Sequence, residues 1–330
     1  MKENRKILLT VIPIVLVFLA LLIVATFCDL DISKSIADLS KGQYQSNNVF
    51  GRIFETIGEM PVYIITLFAA SIIIADFSKR ERKNVFIVFV IILELISVFV
   101  AYYAFHKLFD YIGIHFEIES TGSLSAELAY LVLGVLAVVG VNFLSKKYSL
   151  EFLNSALPWA FIVIATVALS QFITQVAIKI PSGRYRYCTM NTLGDFSNFT
   201  QWFKFNGKIV PNDAMKEMGI AKDGMKSFPS GHTCAAATLI VLTSLPAFWS
   251  KTNNKKYKII SWSAIVVFVL LVMYTRILMG KHFLSDVLIG MLVTVVCYYV
   301  CLIWGRKIYD KKVKLKPLEK TKPIITEERI

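Results

Sequence analysis

The sequence predicts an all-α bundle of about eight membrane-spanning helices, with both the N- and the C-terminus on the cytoplasmic side. Of the 330 residues, 56% are hydrophobic and only 18% are charged, which is less charge than a soluble domain of this length carries. The hydrophobic residues also form long uninterrupted runs, and the length of such a run separates a membrane span from a buried core helix.

Most of the apolar runs approach the roughly 20 residues that a helix needs to cross the hydrocarbon of a bilayer. The second run is short and begins beside Pro61, which the first turn of a helix tolerates. The first run is longer than the apolar part of a typical signal peptide, so we interpret it as an uncleaved anchor. The eight runs cover residues 7–28, 60–76, 84–106, 125–144, 156–178, 232–249, 258–278 and 284–304.

Basic residues set the predicted orientation. The formal net charge is +13, and the lysines and arginines concentrate in short segments between the apolar runs. The positive-inside rule places these segments in the cytoplasm, and anionic lipid headgroups are then the expected partner, with no nucleic acid partner expected. The cytoplasmic segments are the N-terminal start, 77–83, 145–155, 250–257 and the tail from Gly305, whereas 29–59, 107–124, 179–231 and 279–283 lie outside.

The first polar cluster joins the seventh and eighth runs and contains Arg276, His282 and Asp286. At a spacing of four residues on a helix, His282 and Asp286 share one face. The carboxylate can then hold one imidazole nitrogen and leave the other free as a nucleophile or base. Arginine adds a planar donor fork that suits phosphate oxygens, so this cluster indicates an anion site with a reactive histidine.

A second cluster, residues 227–233, enters the sixth run. Pro229 and Ser230 are typical of the start of a helix, and Gly231 lets backbone N–H groups approach a ligand closely. His232 stands beside this site. Because a helix N-terminus favours a bound anion, the cluster predicts a second phosphate-binding element.

The third cluster leaves the fifth run and contains Lys179, Arg184 and Arg186, with a proline and a glycine that should end the helix between them. All three clusters lie at predicted outer helix ends, although the orientation rests on basic residues elsewhere in the chain. We therefore expect the clusters to meet on one side of the membrane.

The patterns Lys-x6-Arg, Pro-Ser-Gly-His and Arg-x5-His-x3-Asp, in this order, resemble the three signature motifs of the type 2 phosphatidic acid phosphatases. The resemblance covers roughly residues 156–304. It implies that His282 attacks phosphorus, that Asp286 orients His282, and that His232 protonates the leaving alkoxide and later activates water. It also implies no metal and no other cofactor, and it gives the phosphate-binding residues as Lys179, Arg186, Ser230, Gly231 and Arg276.

The resemblance implies three parts: N-terminal spans over 1–150 with an added hairpin, a catalytic core over 151–305, and a basic cytoplasmic tail over 306–330. The sequence departs from the family pattern at Tyr187, where proline usually stands, at Thr275, where serine usually stands, and in having eight spans instead of six. The extra spans affect the prediction of the substrate more than the prediction of the chemistry.

The expected substrate is a lipid phosphate or diphosphate, such as phosphatidic acid, phosphatidylglycerol phosphate or a polyprenyl diphosphate. The expected place is the outer face of a bacterial plasma membrane, with the endoplasmic reticulum as the alternative. A soluble phosphate such as a sugar phosphate is the alternative within the class. Transport of an anion or lipid, and non-catalytic lipid binding, are the alternatives from other classes, and the oligomeric state is left open.

Several residues outside the motifs carry secondary expectations. Glu94 lies inside the third run and either contacts substrate or pairs within the added hairpin. Gln171 and Gln175 are expected to bond across helices, and His106 and His115 are interpreted as interfacial. The loop over 187–228 is predicted to act as a lid or headgroup selector, with Trp202, Phe203 and Phe205 as aromatic anchors.

Overall fold

A computed structural model describes residues 2–40, 46, 48–80, 85–118 and 122–314. Across these ranges, the regular secondary structure is helical throughout. Eight helical stretches are long and apolar enough to cross a membrane, which confirms the predicted all-α, eight-span architecture. They are Ile12–Ile36, Val49–Lys79, Ile87–Phe116, Leu124–Ser145, Leu150–Leu193, Gly231–Phe248, Lys255–Leu278 and Leu284–Lys307.

The α-helices differ widely in length, and the short ones lie mostly at one end of the bundle or interrupt a span. They are α1 (Lys2–Ile36), α2 (Val49–Ile57), α3 (Met60–Lys79), α4 (Val85–Phe116), α5 (Leu124–Ser145), α6 (Leu150–Gln171), α7 (Lys179–Ser182), α8 (Tyr187–Leu193), α9 (Asp213–Glu217), α10 (Gly231–Ala237), α11 (Leu245–Phe248), α12 (Lys255–Leu278) and α13 (Leu284–Lys314). A π-helical turn spans Phe172–Ile178, and 3₁₀ turns span Lys222–Met225, Thr238–Ser244 and Ser250–Thr252.

The short helix α2 is absent from the sequence-based prediction, which began the second span at residue 60. Asn48 caps α2 by accepting a hydrogen bond from the backbone N–H of Gly51 at 3.0 Å. The helix carries Arg52 and Glu55 among apolar residues, so it does not extend the apolar run that marks α3. Its place before α3 makes the second span longer than hydropathy alone indicates.

Two spans are irregular in the part that leads to the polar clusters. Helix α6 passes through the π-helical turn into α7, and Gly183 ends α7 with a positive φ of 53°, as its glycine and proline predict. The sixth span is broken into α10, a 3₁₀ turn and α11, with a proline in the first turn of α11. Two of the three polar clusters, those of Lys179 and His232, are therefore attached to short helical pieces.

The core lies where α3, α6 and α13 meet the broken sixth span. Trp159 of α6 is fully buried there, and its indole N–H donates to the Val241 carbonyl at 2.9 Å. Such a bond satisfies the one polar atom of a large apolar side chain inside the bundle. This packing holds the broken span in a fixed position relative to α6.

Helices α4 and α5 form a hairpin that packs on itself and on α3. Inside the hairpin, Asn142 donates to both carboxylate oxygens of Glu94 at 2.8 and 2.9 Å. His106 pairs with Glu127 across the same interface at 3.2 Å. The structure therefore places Glu94 in a structural pair within the hairpin. The C-terminal tail beyond residue 314 lies outside the described residues.

Candidate active site

His282 lies in the turn between α12 and α13, two residues before α13 begins. The expectation that His282 and Asp286 share one helical face is therefore wrong for the histidine, since only Asp286 is on the helix. The ring nonetheless lies beside the carboxylate, with Nδ1 at 3.6 Å from Asp286 Oδ2. A closer partner is the Ser227 carbonyl oxygen, at 2.6 Å from Nδ1. A carbonyl oxygen only accepts, so Nδ1 carries the hydrogen and Nε2 carries the lone pair.

The electrostatics favour the neutral form of His282. Burial of the ring lowers its pKa to about 3, because the charged form loses its water, and the positive charges of Arg186, Lys179 and Arg276 act in the same direction. The hydrogen bond with Asp286 acts in the opposite direction and raises the pKa. An imidazole that is neutral at physiological pH, with Nε2 unprotonated, is the form that a nucleophile requires.

Asp286 is fully buried and held by three donors. Its Oδ1 accepts from Arg184 Nη1 at 2.5 Å, and its Oδ2 accepts from the Phe283 backbone N–H at 2.9 Å and from the Ser227 hydroxyl. Ser227 thus contacts both the histidine and the carboxylate. These bonds fix the carboxylate beside the His282 ring and leave it no freedom to turn away.

Arg184 bridges two buried carboxylates. Its Nη2 lies 3.0 Å from Asp29 Oδ2 on α1, while its Nη1 pairs with Asp286. The guanidinium also lies over the Phe283 ring, at 4.3 Å from its centroid. Asp29 in turn accepts from the Ser285 backbone N–H at 3.0 Å and from the Ser285 hydroxyl. The first transmembrane helix is therefore part of the framework that positions Asp286.

His232 is the second residue of α10, whose N-terminus Ser230 caps by accepting from the Thr233 N–H at 3.3 Å. The ring is buried, and both of its nitrogens have partners. Nδ1 lies 3.1 Å from Glu59 Oε1, and Nε2 lies 3.1 Å from the Glu55 carbonyl oxygen. To donate a proton to a substrate, the ring must exchange one of these two contacts.

The predicted phosphate-binding groups surround the two histidines. A Cβ atom placed on Gly231 would lie 3.5 Å from Lys179 Nζ and 2.5 Å from Gln175 Nε2, so both side chains reach the start of α10 and a larger residue there would displace the Gln175 amide. The charges of Lys179 and Arg276 act on both His232 and His282, and the two imidazoles act on each other. The three clusters thus meet at one end of the bundle.

Arg276 lies in the last turn of α12 and is buried. Its Nη1 pairs with Glu55 Oε1 at 2.9 Å, and within the described ranges its Nε makes no hydrogen bond. A buried guanidinium N–H without a partner is a donor suited to a phosphoryl oxygen. Arg276 therefore combines a fixed orientation, set by Glu55, with a donor that a ligand can use.

Arg186 approaches the site from the loop after α7. Its backbone N–H donates to the Gly224 carbonyl at 2.8 Å, which ties the first motif to the loop before the second. Its charge acts on His282 and on Asp223. Although burial opposes it, the pKa of the Asp223 carboxyl is lowered by Arg186, Lys226 and Lys179. The loop carboxylate is thus an ionised partner for the cations of the site.

Sequence reasoning missed the carboxylates of the N-terminal half, namely Asp29, Glu55 and Glu59. None belongs to a motif, and Glu55 lies in and Glu59 just after a short helix that hydropathy did not reveal. Carboxylates beside apolar runs were the one signal that the sequence offered. His115, interpreted as interfacial, also reaches the site, because its Nε2 lies 3.5 Å from Glu55 Oε2.

The aromatic residues of the long loop divide into two groups. Trp202 donates from Nε1 to Thr26 Oγ1 on α1 at 3.0 Å and packs near the Phe228 ring, so it fastens the loop to the bundle. Phe203 and Phe205 are 50% and 55% exposed. Of the three predicted aromatic anchors in this loop, Phe203 and Phe205 are therefore the two with exposed rings.

The model of the PAP2 superfamily matches residues 159–310, the segment that contains all three clusters. No curated protein matches the chain. No solved structure matches it either.

Proposed function

We propose, from the match of residues 159–310 to the PAP2 superfamily, that the chain is a lipid phosphatase that works through a phosphohistidine. The superfamily is one of phosphatases of the lipid phosphatase type. The observation that carries the proposal is the environment of His282. Its Nδ1 donates a hydrogen bond to the Ser227 carbonyl, and the charges of three cations act on the neutral ring.

In the proposed first step, the lone pair on His282 Nε2 attacks phosphorus and the bond to the lipid oxygen breaks. Asp286 and the Ser227 carbonyl stabilise the positive charge that develops on the ring. Lys179, Arg186 and Arg276 neutralise the phosphoryl oxygens, together with the N–H groups at the start of α10. Phosphoryl transfer depends mostly on such charge neutralisation and on in-line positioning.

In the proposed second step, water attacks the phosphohistidine and inorganic phosphate leaves. His232 is the group placed to give a proton to the departing alkoxide and to take one from this water. The expected substrates are a phosphatidic acid, a phosphatidylglycerol phosphate or a polyprenyl diphosphate. The basic segments between spans support an orientation with the site on the extracytoplasmic face of a plasma membrane.

The decisive experiment measures phosphate release from a panel of these lipids in detergent, with EDTA present. Wild type is expected to be active and to form an acid-labile, base-stable phosphoenzyme. His282→Ala should form none and release no phosphate. The matched control is His106→Ala, since His106 pairs with Glu127 in the α4–α5 hairpin.

Persistent activity in His282→Ala would overturn the phosphohistidine step. Loss of wild-type activity with EDTA would indicate metal-dependent hydrolysis instead. Lipid binding without phosphate release from any lipid or soluble phosphate ester would favour a non-catalytic or transport role.

A further inference from the structure

One of the carboxylates that reach the site from outside the matched segment contacts the ring of His232. Glu59 directly precedes α3, and its Oε1 lies 3.1 Å from His232 Nδ1. On the other side of the ring, the Glu55 carbonyl oxygen lies 3.1 Å from Nε2. The Tyr111 ring packs edge-on at 5.6 Å between centroids. His232 is therefore enclosed by residues of α2, the α2–α3 junction and α4.

These contacts determine where the protons lie. The Glu55 carbonyl only accepts, so Nε2 carries a hydrogen. An unprotonated Nδ1 would face the lone pairs of an ionised carboxylate, which is repulsive, so one further proton lies between Nδ1 and Glu59. The His232–Glu59 pair thus has as many protons as an imidazolium beside a carboxylate. This holds whether the shared proton lies nearer to His232 Nδ1 or to Glu59 Oε1.

We propose that Glu59 is the positioning residue of His232, so that the site contains two carboxylate–imidazole pairs, one facing phosphorus and one facing the oxygen that leaves or attacks. The inference rests on the proposed phosphatase function. His282 has Nδ1 toward Ser227 and Asp286 and keeps Nε2 for phosphorus. His232 has Nδ1 toward Glu59 and keeps Nε2 for the oxygen that leaves or attacks. The Tyr63 hydroxyl, hydrogen-bonded to Glu59, helps to hold that carboxylate in place.

The proton balance of the reaction follows from this arrangement. As His282 Nε2 bonds to phosphorus, the P–O bond to the lipid breaks and its electron pair stays on oxygen. That oxygen replaces the Glu55 carbonyl as the partner of His232 Nε2 and takes its proton. His232 becomes neutral imidazole, with the remaining hydrogen on Nδ1 donated to Glu59.

The second half of the reaction restores the starting state. Water gives a proton to His232 Nε2 while its oxygen bonds to phosphorus. The electron pair of the P–N bond returns to His282, and inorganic phosphate is released. The imidazolium re-forms beside the negative charge of Glu59, which stabilises it.

The test compares two esters that differ in their need for a proton. A short-chain phosphatidic acid has an alkoxide leaving group that must be protonated, whereas p-nitrophenyl phosphate releases a stable phenolate. In Glu59→Gln, we expect phosphoenzyme formation from the phosphatidic acid to slow by roughly tenfold to hundredfold, because the substitution weakens but does not remove a general acid whose full effect is about 10²–10⁴-fold. Formation from p-nitrophenyl phosphate should stay near the wild-type rate.

Hydrolysis of the phosphoenzyme also needs His232, so Glu59→Gln should show a stoichiometric burst of p-nitrophenol followed by slow turnover. The control is Glu94→Gln, the same substitution in a membrane glutamate that pairs with Asn142 away from the site, and it should behave like wild type. Glu59→Asp should restore part of the rate with the phosphatidic acid. All rates are counted per phosphorylated site, which removes any loss of folded protein from the comparison.

Equal slowing with both esters, or wild-type rates with both, would overturn the role of Glu59. If Glu59→Gln does not fold, Glu59→Asp must show the same difference between the esters in smaller size, and its absence overturns the proposal. Wild type that forms no phosphoenzyme from either ester contradicts the proposed function itself. If wild type forms the phosphoenzyme but Glu59→Gln has the same rates as Glu94→Gln, only this inference is contradicted.

Discussion

The two halves of the chain bring opposite charges to the site. The C-terminal half supplies both imidazoles and the cations, which are Lys179, Arg184, Arg186 and Arg276. The N-terminal half supplies carboxylates that contact them, which are Asp29, Glu55 and Glu59. The reactive groups must sit at fixed places on helix ends and so form motifs. A carboxylate that balances a cation only has to lie close to that cation, and it can come from any neighbouring helix.

Charge balance explains why the N-terminal half matters to the chemistry. Buried arginines and histidines are costly without partners of opposite charge. Arg184 shares its charge between Asp29 of α1 and Asp286 of α13, and Arg276 of α12 pairs with Glu55 of α2. The segment outside the superfamily match therefore completes the electrostatics of a site whose reactive groups lie inside it.

The largest effect on stability is expected from Arg184, the cation that pairs with carboxylates of both halves of the chain. Arg184→Ala leaves Asp29 and Asp286 buried without their shared partner, a loss that costs about 3–5 kcal/mol in comparable buried pairs. Thermal unfolding in detergent should show a large fall in midpoint, and phosphoenzyme formation should be lost. Adding Asp29→Asn should recover part of the stability, because the uncompensated charge on α1 is removed. A double variant less stable than Arg184→Ala would show that the two halves are not coupled through this charge.

A smaller effect concerns Arg276. Glu55→Gln removes the negative charge that this arginine faces, so inorganic phosphate should bind more tightly, by roughly tenfold or ~1.4 kcal/mol. The measurement is the inhibition constant of phosphate against p-nitrophenyl phosphate. His115→Gln removes the other partner of Glu55, keeps the carboxylate on Arg276, and should leave that constant unchanged. Weaker phosphate binding in Glu55→Gln would mean that Glu55 only orients the arginine.

The loop over 187–228 offers a test that touches neither set of charges. Replacing both Phe203 and Phe205 by serine should lower turnover of lipid in vesicles a few-fold, since their exposed rings can enter the interface. Turnover of a soluble ester should not change. Trp202→Phe is the contrasting variant, because it removes the bond to Thr26 and should affect both substrates alike. Equal losses with both substrates in the phenylalanine variant would rule out a lipid-selecting loop.

The last prediction is a pH dependence that comes from the C-terminal half alone and develops only in acid. The pKa of His282 is lowered to about 3 in the folded protein, against 6.5 for an ordinary histidine. The unfolded chain therefore binds more protons, and this site favours unfolding progressively as the pH falls from 6.5 toward 3. Midpoints of thermal unfolding in detergent should decrease less steeply over this range in His282→Gln than in wild type. Parallel slopes would indicate that the ring is not desolvated.

Local sequence patterns predicted much of this molecule. Apolar runs gave the eight spans, and Gly183 ends its helix with the expected positive φ. Long-range partners were not predictable, since the contact of Glu59 with His232 joins residues far apart in the chain and follows no spacing rule. The apolar run placed His282 before the last span, as the structure has it, but the spacing argument wrongly extended the helix back to the histidine. Asp286 accepts the Phe283 N–H, so the helix starts after the histidine.

The π-helical turn at Phe172–Ile178 has a consequence for how this span can change in evolution. A π turn holds one residue more than a regular turn, and each residue of an α-helix adds about 100° of rotation. A regular helix with the same number of residues would therefore rotate Lys179 by about 100°, away from the start of α10. Insertions and deletions within this span are thus constrained by angle as well as by length. The irregular turn sets the direction in which its lysine points.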